Sequence, residues 1–257
     1  MKVVILAGGL GTRLSEATHR IPKPMVEIGG HPILWHIMKG YAHFGYTEFV
    51  ILLGYKGFLI KKFFADYFLA RSDVTIDLEA NKTEVISSNV EPWKVTLLDT
   101  GEFTMTGGRI KQAERYLSNE PFLLTYGDGV SDVNCKELVK FHKNHGKTIT
   151  MTSIQSEGRF GVVKTDRKNQ ITSFREKIKD DTNWINGGFF VCEPDVFSYL
   201  PDDDSCIFEE HPLRKLVTDG EMFTYKHKGF WQCMDTVSDH KKLTALWDSQ
   251  RAPWKVW

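Results

Sequence analysis

The chain has 257 residues, 41% of them hydrophobic, and its 33 Lys and Arg are balanced by 33 Asp and Glu. That is ample for a full core, and a formal net charge of zero removes any overall electrostatic reason to bind nucleic acid or an anionic membrane. No run approaches the roughly 18 apolar residues of a membrane span, and the first residues enter a strand rather than a secretory leader, so a cytoplasmic protein is expected.

Val3-Val4-Ile5-Leu6-Ala7 is an unbroken apolar run and predicts a strand buried on both faces. Gly8-Gly9-Leu10-Gly11-Thr12-Arg13-Leu14 follows, and then Pro22-Lys23-Pro24-Met25. Glycines let a ligand approach the backbone, several N–H groups can then converge on an anion, and Thr12, Arg13 and Lys23 add a hydroxyl and two cations. The loop is therefore read as a phosphate cradle. It is neither G-x-G-x-x-G, because Leu14 stands where the third glycine belongs, nor a P-loop, because no Gly-Lys-Ser/Thr follows.

Pro32 to Phe44 shows helical spacing, with proline at its start and Gly45 at its end. Phe49 to Leu53 predicts a second strand, Phe58 to Leu69 a second helix, and Asp73 to Leu78 and Val95 to Leu98 further strands, the rhythm of a parallel sheet. Asn81 to Trp93 is polar and irregular, and its residues fit a hairpin, a loop or an oligomer contact equally. Thr106-Gly107-Gly108-Arg109 leads into a helix predicted over Ile110 to Leu117; the glycine pair suits a polar ligand, or simply a loop-to-helix joint.

Phe122 to Tyr126 predicts a strand that ends in Gly127-Asp128-Gly129. An aspartate beyond the carboxyl end of a buried strand, with no bulk beside it, is placed to hold a hard cation such as Mg²⁺, although Asp-Gly is also common in turns. Lys136 to His145 predicts a helix, and Thr148 to Ile154 and Ile171 to Phe174 strands, the last leading into Arg175-Glu176-Lys177. Ile185 to Val191 is a strand interrupted by Gly187-Gly188, which suggests a bulge. Phe208 to Val217 reads as a helix whose Glu209, Glu210 and His211 form a solvated face. Asp235 closes the last marked segment, Leu243 to Trp247 belongs to a closing helix, and the tail carries Trp254 and Trp257. Cys135, Cys192, Cys206 and Cys233 show no zinc-like spacing and read as reduced thiols.

Leu6 to Leu14 together with Pro22-Lys23-Pro24-Met25 resembles the signature of the sugar-phosphate nucleotidyltransferases, which make nucleoside-diphosphate sugars. The resemblance implies an α/β fold: a Rossmann-like, predominantly parallel (mixed) central sheet flanked by helices, of the nucleotide-diphospho-sugar transferase type. The whole chain would be a single domain, with sugar-binding and small β elements within about 150–236. It also implies residue roles. Arg13 and Lys23 are the expected catalytic cations. Leu6, Ala7, Gly8, Gly9, Gly11, Thr12, Arg13, Thr106, Gly108, Arg109 and Gly127 bind nucleotide. Gly161, Glu176, Lys177, Asn186 and Gly187 serve the sugar phosphate, and Asp128 and Asp235 hold Mg²⁺. Relatives often follow the Glu-Lys pair with proline, where this chain has Ile178.

Val90-Glu91-Pro92-Trp93, Met105 to Arg109, Ile185 to Val191 and Ala252-Pro253-Trp254-Lys255 resemble the family members that use CTP and glucose 1-phosphate to make CDP-glucose. For cytosine, a backbone carbonyl near Gly8 is the expected acceptor from N4, with Arg109 available to O2. UTP or dTTP is the alternative within the family, and a noncatalytic nucleotide-sugar-binding regulatory subunit the alternative outside it. The irregular Asn81 to Trp93 segment and the tryptophan tail suggest a homo-oligomer, a hexamer among the candidates, and the resemblance implies a role in lipopolysaccharide O-antigen synthesis.

Overall fold

The structure, a computed structural model, describes residues 1–11, 19–117, 119–155, 162–165, 171–175 and 184–257, with only the backbone course for 162–165 and 171–175. The strands are β1 (Val3–Ala7), β2 (Glu27–Ile28), β3 (His31–Pro32), β4 (Glu48–Leu53), β5 (Ser72–Asp77), β6 (Lys82–Ser88), β7 (Lys94–Asp99), β8 (Phe122–Tyr126), β9 (Gly129–Ser131) and β10 (Ile149–Gln155). They continue with β11 (Val162–Thr165), β12 (Ile171–Arg175), β13 (Trp184–Cys192), β14 (Met222–His227) and β15 (Trp231–Cys233). The described α-helices are α1 (Ile33–His43), α2 (Gly57–Ala70), α3 (Thr106–Ala113), α4 (Cys135–His145), α5 (His211–Thr218) and α6 (Val237–Asp248).

A seven-stranded sheet in the order β14-β10-β13-β8-β1-β4-β7 forms the centre. Neighbours run parallel except at β13, which is antiparallel to both β8 and β10, so the sheet is the expected mixed and mainly parallel one. Side chains of β1 alternate between two cores, as strand geometry requires: Val3, Ile5 and Ala7 meet α1, α4 and α6, while Val4 and Leu6 meet α3 and α5. The helices therefore cover both faces of the sheet.

Boundaries depart from the sequence reading where a local residue decides them. Helix α5 begins at His211 rather than Phe208, with Pro212 in its first turn, where a missing N–H costs nothing. Glu209 and Glu210 consequently lie before the helix, not on its face. Helix α3 begins at Thr106, four residues ahead of the expected start, and passes into a 3₁₀ turn over Glu114–Tyr116. Between β5 and β7 the undecided segment resolves as a hairpin, with β6 paired antiparallel to β5. The interruption in β13 is a bulge, since the pairing with β10 shifts between Met151 and Ser153.

Candidate active site

Strand β1 lies between β4 and β8 and parallel to both, so the chain leaves it toward one neighbour and returns on the other side. In such sheets a crevice opens beyond the carboxyl ends of the strands at this switch point. The ends of β1 and β8 are tied there by Gly127 N–H donating to Leu6 O at 2.8 Å. A cavity of about 490 Å³ occupies the crevice, a size suited to a small-molecule ligand.

Leu6, Ala7, Gly8, Gly9, Gly11, Lys23, Thr106, Arg109, Gly127 and Asp128, all expected from the sequence, line this one cavity. Thr12, Arg13, Gly161, Glu176 and Lys177 lie outside the described residues. Gly108 is not among the lining residues, and its N–H, like that of Gly107, donates to Cys206 O. A Cβ on Gly107 would stand 2.4 Å from the Cys206 sulfur, and one on Gly108 2.9 Å from Asp203 O. The glycine pair thus seats α3 against the 203–206 loop and presents no free N–H to a ligand. Asn186 and Gly187 are not among the lining residues; the first is bonded through Nδ2 to Tyr126 Oη, and the second accepts from Trp231 Nε1 at 2.6 Å.

Lys23 enters on a 3₁₀ turn set by Pro22 and Pro24, whose rings fix φ, and its ammonium meets two carboxylates: Asp128 Oδ2 at 2.7 Å and Asp235 Oδ1 at 2.5 Å. The two acids come from distant sequence because β9 pairs antiparallel with β15, Gly129 opposite Cys233, and Met234 N–H donates to Asp128 O at 2.8 Å. Asp235 immediately precedes the capping box of α6, in which Thr236 and Asp239 cap one another, and its own N–H donates to Asp239 Oδ2. Burial opposes the charge on Lys23, but the two carboxylates outweigh it and raise its pKa above the ordinary value. Burial pushes the neighbouring Cys233 thiol up to about 12, so it is no nucleophile near neutral pH.

Two aspartates converging on one cation present hard oxygen donors, the set Mg²⁺ takes when it also keeps water and phosphate oxygens. The pair fits a magnesium ion. No group of three or more His, Cys, Asp or Glu suited to a metal occurs among the described residues, so substrate oxygens would have to complete any coordination.

Arg109 is buried beneath the cavity. Its Nη1 reaches Leu53 O, Thr100 Oγ1 and Gly101 O at 2.6 to 2.9 Å, and its Nη2 reaches Gly8 O and Glu102 O at 3.1 Å. A Cβ on Gly8 would lie 2.4 Å from this guanidinium, which is why that position carries no side chain. Four Nη hydrogens already face five acceptors, and the Gly8 carbonyl already accepts from Arg109 and from Tyr55 N–H. These Nη groups, the expected partners of cytosine O2, and the Gly8 carbonyl, the expected partner of N4, are thus engaged within the protein here. Arg109 clamps the loops after β1, β4 and β7 together. Burial lowers its pKa from the ordinary value, opposed by Asp99 and Asp204, and a guanidinium stays charged throughout.

Sequence reasoning missed part of the site. Leu10, Phe103 and Met105 stand exposed at the cavity's edge, Phe103 at 80% exposure, and offer apolar faces to a planar ligand. Their signal was available, because the loop after β7 is another carboxyl-end loop of the parallel sheet. Tyr126 lines the cavity and donates its hydroxyl to Glu209 Oε1, while Thr106 Oγ1 donates to Glu209 Oε2 at 2.6 Å. The solvated-face reading of Glu209 is thus corrected; no sequence pattern pointed to two hydroxyls converging on it. Burial first, and then Glu209, push the Tyr126 pKa well up, so it stays a phenol.

The nucleotidyl transferase family model matches residues 2–246. Glucose-1-phosphate cytidylyltransferase of Salmonella typhimurium (strain LT2) is 53% identical over 258 aligned residues, covering 100% of both chains. The probable glucose-1-phosphate cytidylyltransferase of Bacillus subtilis (strain 168) is 46% identical, again over 100% of each. Among solved structures, HddC from Yersinia pseudotuberculosis superposes with a TM-score of 0.70 at 26% identity, covering 96% of this chain and 99% of that one.

Proposed function

This chain belongs to the nucleotidyl transferase family, and from that premise we propose that it transfers a cytidylyl group from CTP to α-D-glucose 1-phosphate, giving CDP-glucose and pyrophosphate. The observation that carries the substrate choice is full-length likeness, at 53% and 46% identity, to two relatives named for this reaction.

In the reaction a phosphate oxygen of the sugar 1-phosphate forms a bond to the α-phosphorus of CTP. The bond from that phosphorus to the bridging oxygen breaks, and pyrophosphate leaves with the electron pair. The nucleophile is already an anion, so no general base is needed, and none of the described histidines lines the cavity. What opposes the step is charge. Two unit charges about 4 Å apart repel by roughly 4 kcal/mol at an effective dielectric near 20, and several such pairs must close at once. Fixed cations and positioning are therefore the chain's main contribution.

Lys23 supplies one cation, held at the cavity wall by Asp128 and Asp235 until phosphate offers it further acceptors. Arg13 and the N–H groups of the Gly8–Gly11 loop take the β- and γ-phosphates. Glu176 and Lys177 take the sugar hydroxyls and the sugar phosphate, and Gly161, Asn186 and Gly187 support the sugar side. Asp128 and Asp235 would hold Mg²⁺, which when bound supplies positive charge beside the phosphates. The apolar faces of Leu10, Phe103 and Met105 support a base at the mouth of the cavity.

The whole chain, 1–257, is read as a single nucleotidyltransferase domain. Exposed Ile76, Leu78, Val85 and Ile86 on the β5–β6 hairpin support a homo-oligomer, and the four free thiols support a cytoplasmic home. No described helix is long and apolar enough to cross a membrane. The test is pyrophosphate release with glucose 1-phosphate and Mg²⁺, supplying CTP, UTP, dTTP and ATP separately. Preference for CTP is expected; preference for UTP or dTTP would keep the chemistry and sink the cytidylyl assignment.

A further inference from the structure

We propose that Glu209 is a positioning residue that serves both halves of the site: its carboxylate fixes Thr106, on the proposed nucleotide side, and Tyr126, which is bonded to Asn186 of the proposed sugar side, and so couples the binding of the two substrates. The inference rests on the nucleotidyl-transfer reading above.

Hydrogen-bond accounting carries the argument. Thr106 Oγ1 accepts from Phe208 N–H at 2.9 Å, so its own proton is directed to Glu209 Oε2, 2.6 Å away. Tyr126 Oη accepts from Asn186 Nδ2 at 3.3 Å, so its proton is directed to Glu209 Oε1. Each carboxylate oxygen receives one hydroxyl, and neither hydroxyl can turn its proton elsewhere without giving up a bond. A deprotonated carboxylate is the side chain that accepts on both arms, and bonds to an ionised acceptor are the stronger kind.

The two hydroxyls belong to different elements. Thr106 opens α3, Tyr126 ends β8, and Glu209 lies in the segment that precedes α5. Asn186, on β13, extends the chain of bonds by accepting Gly188 N–H at Oδ1, 2.8 Å away. Gly188 has φ +74°, and a Cβ there would stand 2.4 Å from the Tyr126 ring, so the ring is seated directly on the β13 backbone. Thr106 and Tyr126 both line the cavity, whereas Glu209 does not. Glu209 therefore acts through its two partners, and a ligand that settles either hydroxyl wall settles the other.

Steady-state kinetics of the full chain test this, with KM for CTP and for glucose 1-phosphate measured separately. Glu209→Gln keeps the size but presents an N–H₂ to one of the two hydroxyls, whose own proton then loses its acceptor. KM for both substrates is expected to rise about tenfold, the effect of one lost bond to a charged acceptor, with kcat changed less. Thr106→Val should raise chiefly the CTP KM and Tyr126→Phe chiefly the sugar-phosphate KM. The Glu209→Gln/Tyr126→Phe double variant should lose less than the product of the two single losses. A thermal melt of each variant reports folding, and Glu209→Asp, which restores the charge, should recover part of the KM loss. Native KM values in Glu209→Gln, or multiplicative losses in the double variant, overturn the inference. A wild-type chain that releases no pyrophosphate overturns the reaction reading and this inference with it. A wild type that turns over beside an unaffected Glu209→Gln overturns the inference alone.

Discussion

Lys23 Nζ and Asp235 Oδ1 lie 2.5 Å apart although 212 positions separate them in the chain. With Asp128 Oδ2 on its other side, the ammonium is the electrostatic centre of the crevice. It holds together two carboxylates that would otherwise repel.

Lys23→Ala should abolish most turnover, by at least about 100-fold, if the ammonium offsets charge on the reacting phosphates. The free protein should lose roughly 1–2 kcal/mol, a discounted figure because the aspartates keep partial contact with water. Added Mg²⁺ should then raise the melting temperature more in the variant than in the parent, since the bare carboxylates gain a cation. Pyrophosphate release and melts with and without Mg²⁺ check both; normal turnover would remove Lys23 from the mechanism.

Asp128→Asn and Asp235→Asn should each raise the Mg²⁺ concentration needed for half-maximal activity by about tenfold or more, since each removes one hard anionic donor. The same Mg²⁺ requirement in both variants as in the parent would reject the pair as the metal site.

Arg109→Lys should destabilise the protein by about 2–4 kcal/mol, because an ammonium cannot span the carbonyls after β1, β4 and β7 that the guanidinium fork reaches together. Chemical denaturation measures the loss. A change within about 0.5 kcal/mol, the size of an ordinary surface substitution, would contradict the clamp.

The pH dependence of stability should carry a mark from His36. Burial lowers its pKa to about 4, and the neutral ring bonds Ile28 O through Nε2 while Trp254 Nε1–H points at Nδ1. A histidine depressed on folding stabilises fully above its unfolded pKa near 6.5, and that contribution is lost as pH falls through the folded value. The group's share is on the order of 3 kcal/mol, lost progressively between about pH 6.5 and 4. Trp254 fluorescence during acid titration should follow it, and a His36→Gln variant should show a flatter stability profile over that range.

Much of this site is legible in the sequence because it uses strand-end loops. The ends of β1 and β8 announce themselves as apolar runs stopped by glycine, and Lys23, Asp128 and the Gly8–Gly11 loop stand where those runs place them. Hydrogen-bond direction is not legible in that way. Nothing in the sequence shows that the 203–206 loop packs on Gly108, or that the Arg109 Nη hydrogens bond the carbonyls of Gly101 and Glu102. Apolar spacing carries the expected helix back across Pro212 to Phe208, and so hides that Glu209 lies before the helix. The hairpin stayed open because β6 is exposed on both faces, so no alternation of apolar and polar residues marks it.

The position of Asp235 has a consequence for synthesis. During translation Lys23 and Asp128 emerge long before the residue that completes their cluster, and Asp235 is fixed only once Thr236 and Asp239 have capped α6. A nascent or prematurely ended chain therefore holds Lys23 and Asp128 without the second carboxylate that the ammonium meets in the finished fold.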